Sequence, residues 1–217
     1  MKSLIALSLC LVLIQTCFYE SSAQSALMRR KNFTNLDFVC NLLNSAPTAL
    51  GAGGNGKACN IDNLKPLEGL GVSSVLFTIE PCAINLPHVH PRGTELFHVL
   101  EGSFTTGFLE ENNGRYIQNT LTAGQVTIFP QGLIHFEQNN RCKRAVFLSA
   151  FSSEDPGVVT LSTRIFDLNQ EALTSTFNQT DAVINSLRDS VRPNPAVDRG
   201  SCLARCGLLN PKKPKSV

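Results

Sequence analysis

The chain holds four histidines, and three of them fall in two short blocks whose spacing can bring them together. In the first block, Asn85-Leu86-Pro87-His88-Val89-His90-Pro91-Arg92-Gly93-Thr94-Glu95, His88 and His90 stand two residues apart. On a strand this spacing puts both imidazoles on one face and Val89 on the other. Glu95 follows His90 by an odd step, which one straight strand would not align. The Pro91-Arg92-Gly93 turn corrects this: the chain bends, re-enters the sheet and returns Glu95 toward both imidazoles. In the second block, residues 124–135, Gly124 and Gly132 fit turns flanking a strand, and His135 opens the next strand. Three neutral imidazoles and a carboxylate suit Mn, Fe, Ni, Cu or Zn by ligand type. Structural zinc is usually closed at four ligands and often uses cysteine. A set of His88, His90, Glu95 and His135 with open positions instead suits octahedral Mn(II) or Fe(II). Such an ion can bind a small anion or a dioxygen species and change oxidation state. His98 lies three residues beyond Glu95 on the same expected strand, so it faces away and reads as a packing or surface residue.

These side chains need a sheet to hold them. Between residues 66 and 165, runs rich in Val, Ile, Phe and Thr recur at 71–79, 94–100, 104–109, 125–129 and 145–151. Turn signals such as Asn112-Asn113-Gly114 and Ala123-Gly124 separate them. Many short strands at this spacing predict an all-β antiparallel sandwich or barrel. From 166 to 190 the pattern changes. Leu168, Leu173, Phe177, Val183, Ile184 and Leu187 recur at near-helical spacing, with Asp181 read as an N-cap, which predicts two short amphipathic helices. Residues 24–65 read as an irregular N-terminal extension around a Gly-rich loop. Residues 191–217, with Pro193, Pro195, Pro211 and Pro214, read as an extended tail.

The 217 residues are enough for one domain with its own core, and a formal net charge of +2 argues against a nucleic-acid partner. Lys2, the apolar run from Leu4 to Ile14, and Ser21 and Ala23 read as a signal peptide over residues 1–23. No later stretch is apolar enough to span a bilayer, so a soluble, secreted product with no membrane partner is expected. Cys10 and Cys17 leave with the signal. The remaining six cysteines suit an oxidising compartment. The preferred pairing is Cys40–Cys59, clamping the Gly-rich loop, with Cys82–Cys142 and Cys202–Cys206. Export would also expose two glycosylation sequons, at Asn32 and Asn178.

The two histidine blocks resemble the paired motifs of the cupins. The first motif, G-x5-H-x-H-x4-E-x6-G, runs from Cys82 through His88, His90 and Glu95 to Gly102; its opening glycine is replaced by Cys82. The second, G-x5-P-x-G-x2-H-x3-N, is matched in full by Gly124, Pro130, Gly132, His135 and Asn139. Over most of residues 36–190 the chain is similar to the germin and germin-like branch, which includes the spherulins. The resemblance implies a cupin jelly-roll β-barrel and an N-terminal disulfide. It also implies a manganese ion, placing Mn(II) ahead of Fe(II), and assembly through the C-terminal helices into dimers to hexamers. Oxalate oxidases of this family use two asparagines near the metal. Asn85 matches one and is the catalytic candidate, a donor to a bound oxyanion, whereas Val75 stands at the other position. The resemblance therefore implies a redox enzyme on a small anion or oxygen species, superoxide dismutation ahead of oxalate oxidation, or else a wall-associated or storage metalloprotein. Phe129, Phe136 and Phe147 are expected to line a dry pocket.

Overall fold

The computed structural model describes residues 30–198 and 200–209. The expected signal peptide and the lysines and last prolines of the tail lie outside the described residues.

Alternation of apolar and polar residues generates the sheets. In β3 (Ser73–Ile79) and β10 (Ala145–Phe151) every second residue is buried. Their register pairs Phe147 with Phe77 and Ala145 with Ile79. On one face of the barrel, β1 (Ala49–Gly51), β2 (Gly54–Cys59), β3, β10, β5 (Glu95–Glu101) and β8 (Val126–Phe129) lie side by side in that order. The facing sheet runs β11 (Val159–Thr160), β4 (Ala83–Val89), β9 (His135–Asn139), β6 (Ser103–Leu109) and β7 (Tyr116–Thr122), and β12 (Ala196–Val197) also pairs with β4. Every pairing is antiparallel. Between the sheets, Phe97 and Phe147 meet with ring centroids 4.6 Å apart, and Phe104 packs edge-on to both. This is the expected jelly-roll barrel.

After β11 come α1 (Leu161–Arg164), then α2 (Gln170–Phe177) and α3 (Asp181–Ser190), the two helices expected from periodicity. Asn169 caps α2 by accepting from the Ala172 amide at 2.8 Å. Asp181 is the first helical residue of α3 rather than its cap, which is Thr180.

Two boundaries expected from sequence move. The Gly-rich stretch of the N-terminal extension is ordered as the β1–β2 hairpin and belongs to the barrel, because β2 pairs with β3 along its whole length. The tail is not extended throughout. It adds β12 and α4 (Ser201–Arg205), and two disulfides fasten α4 to the barrel.

The pairing of four cysteines is corrected with it. Cys40–Cys59 forms as expected, but Cys82 joins Cys202 and Cys142 joins Cys206. Cys202 and Cys206 are one helical turn apart, where Cβ atoms are separated by about 5–6 Å. A disulfide needs Cβ atoms near 3.8 Å, so each turns instead to a barrel cysteine. Cys82 also has φ of 54°, a left-handed backbone uncommon for a residue with a side chain and natural for the glycine of the motif.

Candidate metal centre

At one end of the barrel, residues from both sheets meet. The register of β4 and β9 sets His88 directly opposite His135, and their ring centroids lie 4.2 Å apart. Asn85 and His88 are an odd step apart, yet both are buried. A register shift in the β4–β9 ladder between them, across Leu86 and Pro87, turns both side chains inward. His90 follows the end of β4. Past the turn, Glu95 opens β5 on the other sheet, where its register partners are Phe129 and Phe151. The odd step from His90 to Glu95 is thus resolved by the turn.

The four side chains are brought together as their spacing predicts. One ligand atom from each lies within 4.8 Å of all the others. All four residues are buried, His135 and Glu95 to within 1% and 2% of full enclosure. The Nε2 atoms of His90 and His135 both stand 3.2 Å from Glu95 Oε2. The opposite ring nitrogens are tied to backbone carbonyls: His88 Nδ1 to Leu86 at 2.8 Å, His135 Nδ1 to Leu133 at 2.8 Å, and His90 Nδ1 to Gly157 at 2.5 Å. A carbonyl only accepts, so each Nδ1 carries the proton and a neutral ring presents its Nε2 lone pair inward. Three such lone pairs and a carboxylate repel one another alone and attract one another around a divalent cation. The donor set therefore fits the expected ion, and the carbonyl contacts are the supports that orient metal-binding histidines.

Electrostatics favour the ligating forms. Burial first, then the cost of adding a further positive charge beside His135 and His90, brings His88 down to about 3, against smaller upward pulls from Glu95 and the Leu86 carbonyl, so the ring is neutral at pH 7. Burial alone would raise Glu95, but without a metal any Nε2 proton on His135 or His90 is donated to it and outweighs burial, holding the carboxyl below its usual range, a part that a bound cation takes over. His98 lies on the outward face of β5, away from Glu95, as expected.

Three polar residues at the site were not read from the sequence. Ser149 donates through Oγ to Glu95 Oε1. It occupies an inward position of β10 between Phe147 and Phe151, where a lone polar residue in a buried alternation was the available signal. Glu137 is inward by the same two-residue rule from His135. It is fully buried, its Oε2 accepts from Asn85 Nδ2 at 2.7 Å, and its Oε1 has no protein partner. Burial first and the Glu95 charge second push this carboxyl well above the usual range, against the hydrogen bond from Asn85. Asn194, from the tail expected to be extended, donates its side-chain amide to Asn85 Oδ1. Asn139 gives its amide to the Glu80 and Lys143 carbonyls and braces the β9–β10 turn.

A cavity of about 560 Å³ opens onto the site, lined by His88, His90, Glu95, Asn85 and Asn194 with Val75 among its apolar walls. The expected aromatic lining needs correction. Phe147 lines the cavity, joined by Phe77 and Phe151. Phe129 instead backs His135, stacked at 4.4 Å and 14°. Phe136 points to the opposite side of β9 from His135, as adjacent strand residues must.

Jelly-roll topology and this constellation together define a class, and comparison with known proteins agrees. The cupin family profile matches residues 40–185. Spherulin-1A of Physarum polycephalum is 39% identical over 189 residues, covering 86% of this chain and 77% of that protein. Germin-like protein 8-2 of Oryza sativa subsp. japonica is 42% identical over 119 residues, 54% of each chain. A solved oxalate oxidase in complex with the substrate analogue glycolate superposes with a TM-score of 0.66 at 25% identity, covering 73% of this chain and 82% of that one. The chain belongs to the cupin family, with spherulins and germin-like proteins among its relatives.

Proposed function

We propose that this chain is a secreted germin-like cupin that binds manganese through His88, His90, Glu95 and His135 and carries out redox chemistry on a small oxygen species or anion, superoxide ahead of oxalate. The convergence of three Nε2 atoms on one buried carboxylate carries the reading. When bound, Mn(II) supplies a redox centre and an attachment point for an anion; Fe(II) suits the same donors less specifically. The protein's part is to hold three neutral imidazoles in one tautomer, fix the carboxylate through Ser149, and offer the Asn85 amide to a bound oxyanion. Val75 and the phenylalanines beside the cavity exclude water from one wall. Val75 stands where the resemblance to oxalate oxidases implies a second asparagine, which favours superoxide over oxalate.

Secretion is supported by the N-terminal signal pattern and by three disulfides among the described residues. Both sequon asparagines are exposed. Assembly into dimers to hexamers is supported by the exposed Leu168, Val183 and Leu187 of the helical segment. No helix among the described residues is long and apolar enough to cross a membrane.

A second reading, a structural or storage metalloprotein, is favoured by the longer alignment with Spherulin-1A, 86% of the chain against 54% for the germin-like relative. Elemental analysis with superoxide and oxalate assays on one sample separates the two. Near-stoichiometric manganese with activity that disappears in His88→Ala supports the enzyme. Manganese with neither activity supports the structural role, and protein that takes up no metal overturns both.

A further inference from the structure

The segment after α3 runs along the edge of β4, between that strand and the β1–β2 hairpin, and is held on three sides. Ala196 and Val197 pair with Ile84 and Ala83 of β4. The Asp198 amide donates to the Cys82 carbonyl at 2.7 Å, and Cys82 is bonded to Cys202 just beyond. Beneath the segment lies the β1–β2 hairpin, with the Gly53 amide 3.0 Å from the Pro195 carbonyl oxygen. A Cβ on Gly51 would stand 2.2 Å from that oxygen, and one on Gly53 would stand 2.5 Å from the Ala196 carbonyl oxygen. Glycines at both positions are what allow the segment to lie so close. Its leading residue, Asn194, lines the same cavity as His88, His90 and Glu95.

The hydrogen bonds of Asn194 have a direction set by the backbone. The Leu86 N–H can only donate, so the atom it reaches at 2.7 Å is Asn194 Oδ1. Asn194 Nδ2 must then face Asn85, where it donates to Oδ1 at 2.6 Å. Asn85 is left with its NH2 group on the other side, where one N–H goes to Glu137 Oε2 at 2.7 Å. The second N–H of that group is the donor remaining for a ligand in the cavity.

We propose that Asn194 is a positioning residue of the metal centre: the C-terminal segment delivers it to lock the Asn85 carboxamide in the one orientation that presents an N–H to a metal-bound carboxylate or similar small oxyanion. The inference rests on the metal-centre reading above and extends it. It also gives the segment from Pro193 to Cys206 a role in the site, through the β12 pairing and the disulfides that hold it.

The test uses Asn194→Asp, which keeps an acceptor for Leu86 but has no donor for Asn85 Oδ1. In the metal-free, isotope-labelled protein, the Asn85 side-chain N–H signals should exchange with solvent at least tenfold faster in the variant. This arm needs no metal, so it stands even if the metal reading fails. In manganese-loaded protein, glycolate is titrated by the change in the Mn(II) electron paramagnetic resonance signal. Asn194→Asp should bind glycolate at least tenfold more weakly with unchanged manganese content. In an Asn85→Ala background, the same substitution should add less than twofold. Unchanged exchange and unchanged glycolate affinity would overturn the proposal. So would a full tenfold effect persisting without Asn85, because Asn194 would then act on the ligand directly. Asn194→Ala, which removes both hydrogen bonds without adding charge, should reproduce the exchange and affinity changes if the aspartate variant folds poorly.

Discussion

Ser149 shows how little of a metal centre is its ligands. Its hydroxyl holds the Glu95 oxygen that faces away from the histidines, and so fixes the rotation of the carboxylate. Outer supports of this kind typically contribute 10- to 100-fold in metal affinity. Ser149→Ala should weaken manganese binding by roughly that factor, read by competition with a chelator of known affinity. His98→Ala supplies the control: its ring is on the outer face of β5, so metal content should stay at the wild-type level while His135→Ala loses most of it. A fall in His98→Ala matching that in His135→Ala would contradict the strand-face assignment.

Among the elements, the tail and the strand it grips share a conflict at Cys82. The cupin motif has glycine there, and the backbone keeps the left-handed conformation that glycine would adopt freely. A side chain in that conformation costs about 1–2 kcal/mol. Closing the long loop from Cys82 to Cys202, a separation of 120 residues, stabilises the native state by roughly 2–5 kcal/mol, which outweighs it. Both variants Cys82→Ser/Cys202→Ser and Cys82→Gly/Cys202→Ser should melt below wild type. The glycine version should melt higher than the serine version, by about 2–8 °C at about 2–4 °C per kcal/mol. Equal melting temperatures would show that the backbone at Cys82 carries no strain.

For the molecule as a whole, two buried groups tilt stability against pH in opposite senses. His88 is lowered to about 3 from 6.5, so below pH 6.5 the unfolded chain takes a proton that the native protein refuses, and stability falls as pH falls toward 3. Glu137 is raised above 4.5, so above pH 4.5 the native protein keeps a proton that the unfolded chain has released, and stability falls as pH rises toward the folded value. Above 4.5 and below 6.5 the two contributions oppose each other. Glu137→Gln removes the second and is nearly isosteric. The metal-free variant should gain on wild type as pH rises from 5 to 8, by about 1–3 kcal/mol at the upper end, in urea unfolding at each pH. A constant difference between the two proteins across that range would mean that Glu137 is already ionised in the native state.

Reading along the chain was sufficient wherever the information is local. His88, His90, Glu95 and His135 declare themselves because strand geometry puts alternate residues on one face, and a Pro-Gly turn offsets an odd step. The strand at 145–151 and the helices at 170–177 and 181–190 follow from their periods. β7 leaves no periodic trace in the sequence because it is largely solvent-facing, with Leu121 its one buried residue and so no alternation of apolar and polar positions. The Gly-rich stretch around β1 and β2 read as irregular because glycine signals flexibility in a sequence, whereas here it makes room for Pro195 and Ala196. The disulfide partners of Cys82 and Cys142, and the arrival of Asn194 beside Asn85, depend on contacts between residues 64 to 120 positions apart. Periodicity and short motifs carry no information over such separations. Only the packing of the two sheets and of the returning chain against β4 and the β1–β2 hairpin decides which distant side chains meet.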